Sequence, residues 1–239
     1  MPVSTACDDV ASCRLRAFRA GVADIAAPCL AMIPIGLLFG AVAASKNLSA
    51  VEVGAMSALV FAGGAQFAAL EIWTSPVPLA AVLVSTLLIN ARHVLMSASL
   101  AVKADGFAPW QRVGCFFFLA DEIWAFAERR AGETRLTPAY MMGLALPLWL
   151  GWLVWTTLGA LVGARLGEPE RFGADFAFTA LFIGLIASLW RGPATGIAVG
   201  ASGLAATGAW LVLGSPWHVL AGALAGVAGA AAAHRERGR

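Results

Sequence analysis

The chain has 239 residues, of which 60% are hydrophobic and only 13% charged, with nine Trp and a single Tyr. A soluble domain carries about 25% charged residues, so the composition excludes a large soluble domain and reads as an integral membrane protein. The net charge of +2 is too small, and too confined to the chain ends, to suggest nucleic-acid binding.

In chain order, residues 1–20 form a polar segment carrying Arg14, Arg16 and Arg19. The apolar run that follows reaches Ala44, roughly 23 residues from Val22, which is too long for a signal-peptide core and suits an uncleaved first span. Asp24, near its start, reads as solvated. Ser49-Ala50-Val51-Glu52 has the capping-box pattern, which starts a second helix near Ala50 running towards Trp73. Ser75-Pro76, Thr137-Pro138 and Ser215-Pro216 each offer a cap and an N1 proline, for segments three, five and eight. Segment four follows Pro109 and ends near Ala127; segment six covers 175–190 and segment seven 193–213. These readings give an all-α polytopic membrane protein of about eight (seven to eight) transmembrane helices, one or more broken at Gly-rich points. Residues 21–233 form one transmembrane domain, and 234–239 a basic cytoplasmic tail.

Glycines at four-residue spacing, Gly36/Gly40, Gly159/Gly163 and Gly222/Gly226, predict close helix packing. The tryptophans Trp73, Trp149, Trp152, Trp155 and Trp190 read as interfacial anchors or packing. Cys7, Cys13, Cys29 and Cys115 have no metal-ligand or disulfide-framework spacing.

The basic residues orient the spans. With eight crossings and a cytoplasmic N-terminus, Arg14, Arg16, Arg19, Arg129, Arg130, Arg135, Arg191, Arg235, Arg237 and Arg239 lie inside, against Lys46, Lys103, Arg112, Arg165 and Arg171 outside. That follows the positive-inside rule and puts both termini in the cytoplasm. If segment two were re-entrant, the bias would nearly vanish.

Three consecutive segments carry polar groups near their midpoints. Segment two has Phe61-Ala62-Gly63-Gly64-Ala65-Gln66-Phe67, segment three Asn90-Ala91-Arg92-His93, and segment four Asp121-Glu122. At 1.5 Å per helical residue they share a depth. A guanidinium there costs roughly 2.5–3.5 kcal/mol to insert, so protein groups or trapped water must solvate it. In a regular helix Asn90 and His93 share a face and Arg92 points away from it; otherwise the helix is distorted here. Asp121 and Glu122 are about 100° apart, so one can pair with Arg92 while the other faces a cavity. Gly63-Gly64 reads either as close packing or as an unwound point leaving a half-helix N-terminus near Ala65-Gln66, whose N–H groups would favour a carboxylate.

These motifs, with Leu88-Ile89 before Asn90, Met96-Ser97 after His93, Pro34-Ile35-Gly36-Leu37-Leu38-Phe39-Gly40 in span one and Asp175-Phe176-Ala177-Phe178 at span six, resemble the AzlC-type branched-chain amino acid exporters over about residues 17–233. These are large subunits of bacterial two-component efflux systems. Residues 1–16 have no counterpart in that pattern, and the family often has Gly-Ala or Ala-Ala in place of Gly63-Gly64. The resemblance implies an inner-membrane permease moving valine, leucine, isoleucine or a similar small aliphatic amino acid such as methionine outward. It also implies a small AzlD-like membrane partner.

A zwitterionic substrate would then place its carboxylate at the Gly63, Gly64, Gln66 break or Arg92, and its ammonium at Asp121 or Glu122, with Asn90 nearby. Protons would pass by His93, Asp121 or Glu122. No Walker-type run is present, and no cofactor, metal or catalytic residue is expected. The competing readings are a passive channel and an intramembrane enzyme using His93 with Asp121 or Glu122, for which no motif of known mechanism is present.

Overall fold

The computed structural model describes residues 10–166, 192–213 and 217–237, together with positions 183, 184, 186, 187 and 190. All regular structure among them is helical. Among the described residues, four helices are long and apolar enough to cross a membrane: Val10–Ser45, Leu79–Ala101, Pro138–Gly163 and Pro193–Leu213, with shorter apolar helices at Ala50–Val60 and Ala221–Ala233. The all-helical polytopic class expected from composition therefore stands. The chain divides into two compact units, Met1–Ala62 with Arg92–Gly167, and Gly63–Ala91 with Glu168–Arg239.

The first unit is built on α1 (Val10–Ser45) and α8 (Pro138–Leu166). They run in the same direction, because Gly21 lies on Tyr140 and Gly143, Gly36 on Trp155, Gly40 on Thr156 to Ala160, and Gly163 on Ala41. A Cβ added to Gly36 would sit 2.9 Å from the Trp155 Cβ, and one on Gly163 2.6 Å from the Ala41 Cα. Neither distance is tolerable, so the spaced glycines serve the predicted close packing. The end of this pair where α1 begins is called proximal below, and the end at Ser45 distal.

Helix α2 (Ala50–Val60) starts at the distal end with the predicted capping box: Ser49 N–H donates to Glu52 Oε2 at 2.7 Å, and Glu52 N–H donates to Ser49 Oγ at 3.3 Å. It descends against α8, with Ser57 bonded to Thr156 at 2.8 Å. At Phe61 the backbone turns left-handed, at φ 42° and ψ 48°. Such a turn costs a residue with a β-carbon roughly 1–2 kcal/mol, and the packed Phe61 side chain, 8% exposed, holds it. The Trp149 indole donates to the Ala58 carbonyl at 3.1 Å, satisfying an acceptor near the helix end.

Segment four differs from its expectation. It is two helices, α6 (Pro109–Phe117) and α7 (Asp121–Glu133), separated by Phe118-Leu119-Ala120. Its first loop touches its last: Gly106 lies against the Arg135 guanidinium, whose Cζ is 3.2 Å from a Cβ built there. At the turn, Phe118 packs edge-on to Trp149, ring centroids 5.5 Å apart, partway along α8. At the far end of α7, Arg129 lies 3.7 Å from Asp24, and the Arg130 guanidinium sits 5.0 Å above the Tyr140 ring, both proximal. The segment enters and leaves at the same end, as a re-entrant hairpin. Hydropathy cannot separate two half-length helices from one full span; the pairing of their ends does.

The second unit contains α3 (Gly63–Glu71), α4 (Leu79–Asn90), α9 (Pro193–Leu213) and α10 (Trp217–Arg237). Helix α3 packs on α4. Helices α9 and α10 run antiparallel, Gly222 against Ser202 and Ala206, Gly229 against Ile197 and Ala201. Segment three begins at Leu79 and not at Ser75-Pro76, and Pro78 stands at its N-cap without a side-chain bond. The reason is Pro78 itself, which pushes Val77 out of helical conformation. Segment six (175–190), with Asp175, and the Ser215-Pro216 cap fall outside the described residues. Cys13 is disulfide-bonded, contrary to the spacing argument, whereas Cys29 and Cys115 are free thiols.

Candidate functional site

All three polar segments are broken where sequence depth placed their polar groups. Segment two breaks at Phe61-Ala62, two residues before the expected point, so that Gly63-Gly64 forms the first turn of α3 and Gln66 lies buried in that helix at 0% exposure. Segment three is interrupted at Ala91, whose N–H bonds Leu88 O at 3.3 Å, between α4 and α5 (Arg92–Ala101). Segment four breaks at 118–120.

The interruption at Ala91 is confined to one residue that keeps helical dihedrals, φ −55° and ψ −27°. Arg92 opens α5, and its Nη1 donates to Asp121 Oδ2 at 2.6 Å. His93 Nε2 lies 3.1 Å from Leu119 O. A carbonyl only accepts, so Nε2 carries a hydrogen in this contact. Arg92 and His93 thus both reach the turn of the α6–α7 hairpin. Asn90 closes α4 in the second unit.

The acid that pairs with Arg92 is Asp121. Glu122, about 100° further round α7, is exposed. Both acids occupy the first turn of α7, where the N-cap Ala120 has no side chain to bond the free N–H groups. Negative charge there gains typically 0.3–1 kcal/mol from the helix dipole. The Arg92 Nη1 bond leaves Nε as a buried donor without an acceptor among the described residues. The first unit therefore brings Arg92, His93, Asp121 and Glu122 to one turn. Gly63, Gly64, Gln66 and Asn90 belong to the second unit.

Several polar residues were overlooked or misjudged in the sequence. Asp24 is not simply solvated: Tyr140 donates its hydroxyl to Asp24 Oδ2 at 2.6 Å. Trp149 follows the packing alternative of its expectation, touching both the end of α2 and the hairpin turn. Between α5 and α7, Trp124 Nε1 donates to Ser99 Oγ at 2.8 Å, Ser99 Oγ donates to Glu128 Oε1 at 2.8 Å, and Lys103 pairs with Glu128. A signal for these existed: Arg92 and Ser99, like Asp121 and Glu128, are seven apart and recur on one helix face.

The chain is similar in sequence to several known proteins. A family model described as AzlC protein matches residues 28–166. An uncharacterized membrane protein of Archaeoglobus fulgidus is 31% identical over 87% of this chain and 92% of its own length. The inner membrane protein YgaZ of Escherichia coli is 28% identical over 73% of this chain and 74% of its own. The branched-chain amino acid transport protein AzlC of Bacillus subtilis is 27% identical over 65% of this chain and 61% of its own. No solved structure matches.

Proposed function

The chain belongs to the AzlC family of membrane proteins, and on that premise we propose that it is a secondary transporter exporting branched-chain or similar small aliphatic amino acids. The observation that carries this reading is the Arg92–Asp121 pair at 2.6 Å, held between two helix breaks. Arg92 is the fourteenth residue of the Leu79–Ala101 span, so the pair lies at membrane depth. A charge pair is retained there at a cost and marks a substrate or ion pathway. A zwitterionic amino acid competes for both members: its carboxylate for Arg92, including the Nε donor, and its ammonium for Asp121 or Glu122. His93, Asp121 and Glu122 are the groups able to carry a returning proton.

Orientation follows from the first unit. The re-entrant hairpin moves Lys103 and Arg112 to the proximal end beside Arg14, Arg16, Arg19, Arg129, Arg130 and Arg135, leaving Lys46 and Arg165 distal. That is eight against two, a stronger bias than the eight-crossing arrangement gives, and it supports a cytoplasmic proximal end. The basic tail of Arg235, Arg237 and Arg239 supports a cytoplasmic C-terminus as well. Assembly with a small AzlD-like membrane subunit belongs to the same proposal.

The test is valine flux in proteoliposomes, with and without the small subunit. Losing a hydrogen bond to a charged group costs about 1.5–3 kcal/mol, so Arg92→Ala and Asp121→Asn should each lower flux at limiting substrate by roughly 10- to 100-fold. Full flux in both variants would remove this site from the account. Gln66→Leu and Asn90→Ala in the same assay test the candidates of the second unit. Accumulation against a gradient separates a transporter from a passive channel.

A further inference from the structure

We infer that the seam between α5 and α7 is a water-filled approach from the proximal surface to the Arg92–Asp121 pair, with Lys103 and Glu128 as its outer charge pair. The inference rests on the transport reading, because a route matters only to a protein that moves something.

The two helices run in the same direction, since Arg92 meets Asp121, Ser99 meets Trp124 and Glu128, and Lys103, just past the end of α5, meets Glu128. The polar positions recur at helical spacing, 92, 99 and 103 on one side and 121, 124 and 128 on the other, so each set lies along one face. Val94 and Leu95 of α5 lie off that face and are 70% and 75% exposed. From Arg92 to Lys103 the rise is roughly 16 Å at 1.5 Å per residue. Half the hydrocarbon thickness is about 15 Å. The seam therefore reaches from the depth of the half-buried Arg92–Asp121 pair to the membrane edge.

Polar groups at membrane depth persist where they pair with one another or line a cavity that water enters. The seam's side chains bond across it, and both of its charge pairs are partly exposed, Arg92 and Asp121 at 37% and 42% and Lys103 and Glu128 at 40% and 21%. Its charges also share one order. Both cations, Arg92 and Lys103, come from the α5 side, and both anions, Asp121 and Glu128, from α7. A zwitterion passing from the outer pair to the inner one keeps its carboxylate towards α5 and its ammonium towards α7 without turning round. A proton or an ion of one sign has no use for that repetition.

The test is thiol accessibility of the full chain in membranes, in a background with its four natural cysteines replaced. Ser99→Cys sits mid-seam, Lys103→Cys at the mouth, and Val94→Cys on the outward face. A membrane-impermeant methanethiosulfonate should label Ser99→Cys and Lys103→Cys in inside-out vesicles and not in right-side-out spheroplasts. Each unit by which apolar surroundings raise a thiol's pKa lowers its thiolate tenfold, so Val94→Cys should react at least ~10-fold more slowly. Glu128→Cys gives the same readout from α7 if Ser99→Cys fails to accumulate. Ser99→Cys and Glu128→Cys reacting no faster than Val94→Cys would overturn the route, and so would labelling from outside alone. Labelling as expected, with no valine flux by the unmodified protein, would retain the route and defeat the transport reading.

Discussion

Gly40 is the position at which the frame carrying the site can be tested most sharply. A β-carbon there would fall on the backbone of α8, in contact with Thr156 O and Ala160 N and 2.7 Å from the Gly159 carbonyl carbon. Ordinary carbon contacts lie at about 3.5–4.0 Å, so Gly40→Ala forces α1 and α8 apart by roughly 1 Å. A radial gap of that size forfeits about a quarter to a half of each dispersion contact along the seam. Because the obstructing atoms are backbone, no rotamer change relieves the clash, and the cost should reach the upper part of the overpacking range, about 3 kcal/mol. For a chain of this length that lowers the melting temperature by roughly 6–12 °C. The measurement is thermal unfolding of the detergent-solubilised protein beside Gly203→Ala, whose added β-carbon meets nothing within 4 Å. That control should be neutral or stabilised by about 0.5–1 kcal/mol, because alanine is the better helix former. Equal melting temperatures for the two variants would refute the claim that glycine-mediated backbone contact holds α1 to α8.

The re-entrant hairpin predicts that cysteines placed at Gly106 and Arg135 react with an impermeant reagent from the same side of the membrane; reaction from opposite sides would restore segment four as a crossing. Tyr140→Phe removes the hydroxyl that donates to Asp24 at 2.6 Å, and thermal unfolding should show a loss of about 0.5–1.5 kcal/mol. An unchanged melting temperature would mean that this bond contributes nothing to holding α1 on α8. Ser49→Ala breaks the capping box of α2 and should destabilise by about 1 kcal/mol; the same scan reads it, and no change would show that the box is dispensable.

Much of this molecule is legible in its sequence, because the bilayer imposes one requirement, internal satisfaction of backbone groups, that composition and punctuation answer directly. Apolar runs bounded by Ser49, Glu52 and Thr137 locate helix starts, and glycines four apart locate the α1–α8 contact. Depth counted along each segment brings Gly63–Gln66, Asn90–His93 and Asp121–Glu122 to the places where the helices break. The distinction between two half-helices and one span was not legible, since the sequence does not show which ends of a segment meet. It took the meeting of Gly106 with Arg135, and of Arg130 with Tyr140, to turn segment four back on itself. The partner of Arg92 was likewise beyond the sequence, because two adjacent carboxylates differ only in azimuth, and azimuth is set by how α7 packs. The sequence determined that charge is buried in the membrane and at what depth; only the tertiary structure decided which helices share it and towards which surface they run.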